Sequence, residues 1–233
     1  MNELERLLLS YSEQPICILD STISIDKYIP LDLSKDNKEL VDVDITNHIT
    51  CQSYIDKVLQ KENGQIAYGG YLEERNLYSD KVGFTPLNKP KRNIHLGTDF
   101  WCKAGTKVIV PLDGKVHSFK NNSSIGDYGP TIVLEHFFNN ITFYTLYGHL
   151  TLDAISGLVK GKSFSAGDTL AKLGTPDINV NYAPHLHFQI IKDLEGNEGD
   201  YPGVCAKEDL PFYKTNCPDP DFLLKVTQAV KFR

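Results

Sequence analysis

Short apolar segments separated by turn sequences fill the chain from Gly69 to about residue 191, and this pattern constrains the fold more than any other feature. The segments include TKVIVPL, GKVHSF, PTIVLEHF, ITFYTLYGHL, DTLAKLG and HLHFQII, and the turn sequences include DG, GDYG and NN. Strands that recur at intervals of roughly ten residues, with no helical stretch between them, are typical of antiparallel β-structure. The sequence therefore predicts a mainly β fold built on an antiparallel β-sheet.

The regions on either side of these segments have a different character. Near the N-terminus, MNELERLLLSYSEQP and CQSYIDKVLQKEN predict two helices, whereas PICILD, ISIDKYIPLDLS and LVDVDI predict short strands. From Asp200 onward the chain is rich in Pro, Asp and Tyr and shows little periodicity before PDFLLKVTQAV. We therefore expect an α+β N-terminal extension (1–66), a β domain (67–195) and an irregular C-terminal tail (196–233) that packs on the domain.

Composition and charge argue against several classes of function. Of the 233 residues, 41% are apolar and 23% are charged, as in an ordinary globular protein, and the formal net charge is −6. This balance indicates neither a nucleic-acid partner nor an anionic membrane surface, and no apolar run approaches the roughly 18 residues of a membrane span. The N-terminus lacks the basic leader and cleavage site of a signal peptide, so we expect a cytoplasmic location, unless an export signal is not visible here.

The cysteines predict no disulfide framework. There are five of them, an odd number at irregular spacing, and none forms a CxxC pair. This pattern favours free thiols in a reducing compartment over disulfide bridges or a cysteine zinc site. The roles of Cys205 and Cys217 stay open at this point.

The segment APHLHFQI places His185 and His187 one residue apart in a predicted strand. Because side chains alternate across a strand, both imidazoles point to one face, while Leu186 and Phe188 point to the other. Two imidazoles side by side disfavour double protonation, so one can bind a metal while the other accepts a proton. The strand pattern does not decide which of the two histidines is the ligand.

The segment HLGTD places His95 and Asp99 four residues apart, which brings them to one face of an extended backbone. Alone, this spacing is common and also fits a surface ion pair. With one histidine of the pair described above, these two residues would supply the three protein ligands of a catalytic zinc, which leaves a fourth position for water. The other histidine of the pair and His149, at the end of YTLYGH, would then lie near that position and transfer protons.

As a set, these motifs resemble the lysostaphin/LytM-type zinc metallopeptidase family, which is also described as peptidoglycan DD-endopeptidase-like. The family pattern H-x-G-x-D, G-T-x-V with D-G-x-V, Y-x-H-L and P-H-L-H-F appears in order as HLGTD, GTKVIVPLDGKV, YGHL and PHLHFQ. The preceding GGYLEERNLY, which contains Arg75, is similar to the first strand of the family domain. The resemblance spans residues 69–192.

The resemblance implies an open antiparallel sheet of the LytM/lysostaphin type, with one zinc ion in a groove that crosses it. It implies that His95, Asp99 and His187 are the metal ligands, and that His185 and His149 are the catalytic histidines. The implied function is a zinc-dependent metallohydrolase, an endopeptidase that cleaves an amide bond in a peptide or a peptidoglycan-like substrate with a metal-activated water. No nucleic-acid or membrane partner is implied.

The alternative function is a non-catalytic binding or regulatory module on the same fold. The sequence keeps all three implied ligands and both further histidines, which favours the enzyme. The substrate and the oligomeric state stay open. A further hypothesis is that the N-terminal extension covers the groove and keeps the enzyme latent.

Overall fold

A computed structural model of the protein describes residues 1–81 and 90–231. Within these ranges the helices are α1 (Glu3–Tyr11), α2 (His48–Lys61), α3 (Leu210–Asn216), α4 (Asp221–Leu224) and α5 (Val226–Lys231). The strands are β1 (Tyr28–Pro30), β2 (Ile66–Gly69), β3 (Arg92–His95), β4 (Thr98–Trp101), β5 (Lys107–Ile109), β6 (Gly114–Asn122), β7 (Gly129–Phe138), β8 (Ile141–Gly148), β9 (Ser163–Phe164), β10 (Thr169–Lys172), β11 (His185–Ile191) and β12 (Val204–Ala206). None of the helices in the described ranges is long and apolar enough to cross a membrane.

Eight of the strands form one sheet in the order β1-β2-β4-β11-β8-β7-β6-β9. Every neighbouring pair in this sheet is antiparallel except β1 and β2, which are parallel. Two smaller antiparallel pairs, β5 with β10 and β3 with β12, complete the strand pairing. The predicted mainly β fold on an antiparallel sheet is confirmed.

The N-terminal extension contributes to the main sheet as well as flanking it. β1 lies parallel to β2, which pairs with β4 next to the centre of the sheet. The predicted boundary at residue 66 falls at the start of β2, so the sheet continues across it. The division of the chain into three parts stays a prediction.

Both helices predicted near the N-terminus are present as α1 and α2, but the strand predicted at LVDVDI is wrong. Its first residue, Leu40, is the last residue of a short 3-10 helix, and the segment then continues through turns, with Val41 79% exposed. The Asp44 carboxylate accepts a hydrogen bond from the backbone N–H of Thr46. Such local bonds from aspartate side chains compete with strand pairing. PICILD forms only one isolated bridge, between Leu19 and Val108.

Strand β11 lies near the middle of the main sheet and is buried along its whole length. Leu186, Phe188 and Ile190 pack into the main hydrophobic core, where Leu4 and Leu8 of α1 and Leu223 and Leu224 of α4 also lie. His185, His187 and Gln189 therefore project from the opposite face of the strand. The predicted alternation along this strand is confirmed, and it places a row of polar side chains on one side of the sheet.

Candidate metal centre

His95, Asp99 and His187 form a buried cluster, in which one potential ligand atom from each residue lies within 4.8 Å of the others. His95 ends β3, Asp99 lies in β4 and His187 lies in β11. The register of β4 and β11 places His187 directly opposite Asp99. In the parts of the chain that the structure describes, no other group of three histidine, cysteine or acidic residues has this arrangement.

The ring of His95 is oriented by the backbone of Gly70. His95 Nδ1 lies 2.9 Å from the Gly70 carbonyl oxygen, which can only accept, so Nδ1 carries the ring proton. His95 Nε2 is then a bare acceptor, 2.9 Å from His187 Nδ1 and 3.3 Å from Asp99 Oδ1. Gly70 has φ +101°, and a Cβ atom there would overlap the guanidinium of Arg75, so glycine is required at this position.

The ring of His187 is oriented by Gln189, two residues further along β11. His187 Nε2 lies 2.9 Å from Gln189 Oε1, and the amide nitrogen of Gln189 donates to the Pro202 carbonyl oxygen at 3.2 Å. Since the amide nitrogen faces a carbonyl, its oxygen faces His187 and accepts the proton from Nε2. His187 Nδ1 is therefore a second bare acceptor, 3.1 Å from Asp99 Oδ1.

Three acceptors thus face one another with no proton assigned between them: His95 Nε2, His187 Nδ1 and Asp99 Oδ1. Neutral acceptors and a carboxylate at such distances repel one another unless a cation lies between them. Two imidazoles and one carboxylate, with the outer ring nitrogens held by hydrogen bonds, are a donor set typical of catalytic zinc sites. The residues present therefore fit a zinc ion.

Asp99 is held in place by a buried cation. Its Oδ2 accepts a hydrogen bond of 2.6 Å from Nη1 of Arg75, whose side chain is fully buried and also pairs with Glu73. Burial alone would raise the pKa of Asp99, but the nearby His95 and Arg75 outweigh it and hold this pKa well below the usual value. Burial lowers the pKa of His95 to about 4. At neutral pH the cluster therefore has the protonation states of metal ligands, an anionic carboxylate and a neutral imidazole.

His185 and His149 lie beside the cluster. His185 Nδ1 is 2.7 Å from the Ala183 carbonyl oxygen and so carries the proton, which leaves Nε2, 3.9 Å from Asp99 Oδ1, as an acceptor. The rings of His149 and His185 are 4.1 Å apart between centroids. Burial lowers the pKa of both histidines, so both are neutral at pH 7.

His149 follows the end of β8 with a left-handed backbone, φ 63°. Its backbone N–H donates to the Tyr128 carbonyl oxygen at 2.8 Å, and its own carbonyl accepts from the N–H of Gly174 at 2.9 Å. These two bonds stabilise a backbone conformation that residues other than glycine rarely adopt. Strained backbone of this kind occurs at functional sites, where the surrounding structure fixes one orientation of a side chain.

All five residues predicted for the site line one cavity of about 370 Å³. Its other walls come from residues 77–78, 92, 124–128, 182, 197 and 200–204. Residues 1–66, all of which the structure describes, contribute no wall residue, so the hypothesis of a latent enzyme covered by the N-terminal extension gains no support. The roles of the five residues as ligands or proton carriers stay predictions.

Several residues of the site were not identified from the sequence. Arg75 was noted only as part of a similar strand, whereas the structure pairs it with Asp99. Gln189 could have been found, because it is two residues beyond His187 and must share its face of the strand. The contribution of Gly70 comes from its backbone carbonyl, which has no signal of its own in the sequence.

Comparison with known proteins is consistent with this geometry. Residues 93–200 match the sequence model of Peptidase family M23. The chain is 30% identical over 95 residues to an uncharacterized metalloprotease of Haemophilus influenzae, and 32% identical over 97 residues to the peptidoglycan DD-endopeptidase ShyA of Vibrio cholerae. These segments cover 41% and 42% of this chain but 18% and 20% of the relatives. The chain therefore spans about a fifth of the length of each relative.

Solved structures also show similarity. The catalytic domain of lysostaphin from Staphylococcus simulans is 24% identical with a TM-score of 0.35, and the match covers 52% of this chain and 80% of that one. A variant catalytic domain of the prophage-encoded M23 protein EnpA from Enterococcus faecalis is 20% identical with a TM-score of 0.36, covering 47% of this chain and 77% of that one. The matched family region contains all five site residues, and the resemblance predicted from the motifs is confirmed.

Proposed function

We propose that this protein is a zinc-dependent metallohydrolase, an endopeptidase that cleaves an amide bond in a peptide, and the match of residues 93–200 to the model of Peptidase family M23 supports this proposal. The observation that carries the proposal is the convergence of three bare acceptors, His95 Nε2, His187 Nδ1 and Asp99 Oδ1, on the wall of a cavity. In this proposal these three residues hold one zinc ion. Two neutral imidazoles and one carboxylate leave a net positive charge on the loaded site.

Zinc in such a site acts as a Lewis acid, which polarises a carbonyl oxygen and lowers the pKa of a water molecule toward neutrality. The residues around it would then move the protons. The bare Nε2 of His185 faces the cavity beside the ligands and can accept a proton from water. His149, packed on His185, is a second neutral imidazole that lines the cavity and can stabilise charge that develops on the substrate.

For the substrate, we propose a peptide of the peptidoglycan type or a small peptide. The name of the relative in Vibrio cholerae supports the first of these. The cavity of about 370 Å³ lies within the usual size range of small-ligand sites, which supports a short segment of substrate at the centre.

The first experiment is to measure the metal content of the purified chain by mass spectrometry. We expect about one zinc per wild-type chain, by the usual stoichiometry of single-metal hydrolases, and loss of zinc in His95→Ala, Asp99→Ala and His187→Ala. His185→Ala should retain zinc but lose cleavage of muropeptides and small peptides by roughly 10²–10⁴-fold, the typical contribution of a general acid or base. His48→Ala, outside the cavity, is the control for loss of a histidine.

The outcomes separate the two functions under consideration. A wild-type chain that binds zinc and hydrolyses no member of a muropeptide and peptide library would favour the non-catalytic module. A wild-type chain that binds no zinc after a zinc soak would refute the proposal. Loss of zinc in His185→Ala, with retention in His187→Ala, would reverse the assignment of these two histidines.

A further inference from the structure

Gln189 connects the candidate metal centre to the C-terminal tail. Its side chain is fully buried and projects from β11 on the same face as His187. Gln189 Oε1 lies 2.9 Å from His187 Nε2, while Gln189 Nε2 lies 3.2 Å from both the Pro202 carbonyl oxygen and Cys217 Sγ. Both polar atoms of the Gln189 side chain therefore have partners. Oε1 has one partner at the metal centre, and Nε2 has two partners in the tail.

The tail decides which way the Gln189 amide points. If the amide were rotated by half a turn, its oxygen would face the Pro202 carbonyl oxygen, which is also an acceptor, and its nitrogen would face His187. Buried polar groups left unpaired in this way destabilise the fold, because they lose their bonds to water and gain none in the protein. The orientation with Oε1 toward His187 is therefore strongly favoured, and it requires the proton of His187 to be on Nε2.

The second tail partner, Cys217, is held firmly at the end of α3. Its backbone N–H donates to the Tyr213 carbonyl oxygen at 2.6 Å, and its carbonyl oxygen accepts from the hydroxyl of Tyr71 at 2.8 Å. Burial raises the pKa of the Cys217 thiol to about 12, so the sulfur is neutral at physiological pH. A fully buried, neutral thiol has little nucleophilic reactivity, and here its sulfur serves as an acceptor for the amide.

We propose that Gln189 is a positioning residue for the metal ligand His187, and that Pro202 and Cys217 of the C-terminal tail orient Gln189 for this task. The proposal rests on the proposed function only in taking zinc as the bound ion. It assigns a role to Cys217, and it makes the tail a part of the metal centre although no tail residue belongs to the ligand cluster. The alternative explanation is that Gln189 only satisfies buried hydrogen bonds, in which case its loss would affect stability alone.

The test measures zinc affinity in the full chain by competition with a chromophoric chelator, and thermal unfolding of the metal-free protein. Gln189→Met keeps the shape and removes the acceptor, so we expect zinc affinity to fall roughly 10–100-fold, as for other partners of metal-bound histidines. Gln189→Glu keeps an acceptor for His187 but turns its second oxygen toward the Pro202 carbonyl oxygen, so we expect it to recover only part of that loss. Cys217→Ala should weaken binding less than Gln189→Met, because the bond of Gln189 to Pro202 remains.

Thr145→Val is the matched control. Thr145 is a fully buried residue of β8 whose hydroxyl oxygen is 2.7 Å from His136 Nε2, outside the metal centre. We expect this change to lower the unfolding temperature without changing zinc affinity. The absorption spectrum of the cobalt-substituted protein gives a second readout, and it should change in Gln189→Met and not in Thr145→Val.

Wild-type zinc affinity in Gln189→Met would overturn the inference, as would equal losses in Gln189→Met and Gln189→Glu. If Gln189→Met does not fold, Gln189→Glu and Cys217→Ala still test the proposal, because wild-type affinity in Cys217→Ala would remove Cys217 from it and leave Pro202 as the tail residue that orients Gln189. These results are distinct from failure of the proposed function. A chain that binds zinc with the expected pattern but cleaves no peptide would refute only the endopeptidase.

Discussion

Replacing Gly97 with alanine should damage the metal centre through a steric conflict with His187. A Cβ atom on Gly97 would lie 2.6 Å from the Phe188 carbonyl oxygen and 2.8 Å from His187 Cε1 and Nε2. The first distance is 0.8 Å shorter than the 3.4 Å at which ordinary contact begins, and its partner is backbone that pairs with β4. Ligand distances in zinc sites tolerate deviations of only about 0.2 Å. The shift that relieves the contact is therefore large enough to misplace His187.

We expect Gly97→Ala to reduce zinc affinity by at least roughly tenfold and to destabilise the metal-free protein by about 1–3 kcal/mol through overpacking. Gly157→Ala is the control: Gly157 has φ +70° and no atom within 4 Å of an added Cβ, so its cost is backbone strain alone. Chelator competition and urea unfolding measure the two quantities in each variant. Equal zinc affinity in Gly97→Ala and wild type would show that His187 is not positioned by this contact and would refute the reasoning.

Two further perturbations test the charges inside the fold. Arg75→Met leaves the carboxylates of Asp99 and Glu73 without their buried cation. We therefore expect the free energy of unfolding of the metal-free protein to fall by about 3–5 kcal/mol. A loss below about 1 kcal/mol, the range of exposed ion pairs, would contradict the role assigned to Arg75. Burial raises the pKa of Asp219 to about 6 from a usual 3.8. Between these two pH values the folded state binds a proton at Asp219 that the unfolded state does not bind. The stability of the folded state therefore falls as the pH rises from 3.8 to about 6. Asp219→Asn should therefore be more stable than wild type at pH 7, with a difference that closes toward pH 4, and a difference independent of pH in urea unfolding would contradict this.

The sequence predicted a strand correctly where a segment showed alternating residues and also had a neighbouring strand with which to pair. The segment HLHFQII alternates on two faces that both become buried, and it pairs with β4 and β8 in the structure. LVDVDI has the same kind of alternation, but Val41 remains exposed and no strand pairs with this segment. Alternation describes only one strand, whereas a sheet needs a second strand with free hydrogen-bonding groups. The sequence pattern cannot show whether that partner is available.

The predicted site residues come together as expected, but their arrangement depends on strand register. Alternation placed His185 and His187 on one face and left open which of them is the ligand. In the structure His187 is opposite Asp99, while His185 is opposite Trp101 and stacks on it, with ring centroids 5.7 Å apart. Register between β4 and β11 therefore places His187 opposite Asp99, and a shift by two residues would place His185 there instead.

The sequence by itself determined the residue types of the centre, their order, and the face of the strand on which each lies, because these follow from motif spacing and from the period of a strand. Tertiary structure alone decided which atoms face the common point. Gly70 and Gln189 hold the two histidine rings, Arg75 holds the carboxylate, and the tail orients Gln189 through residues some 13 and 28 positions away. Hydrogen bonds between distant segments fix tautomers and rotamers, and they exist only once the chain has folded.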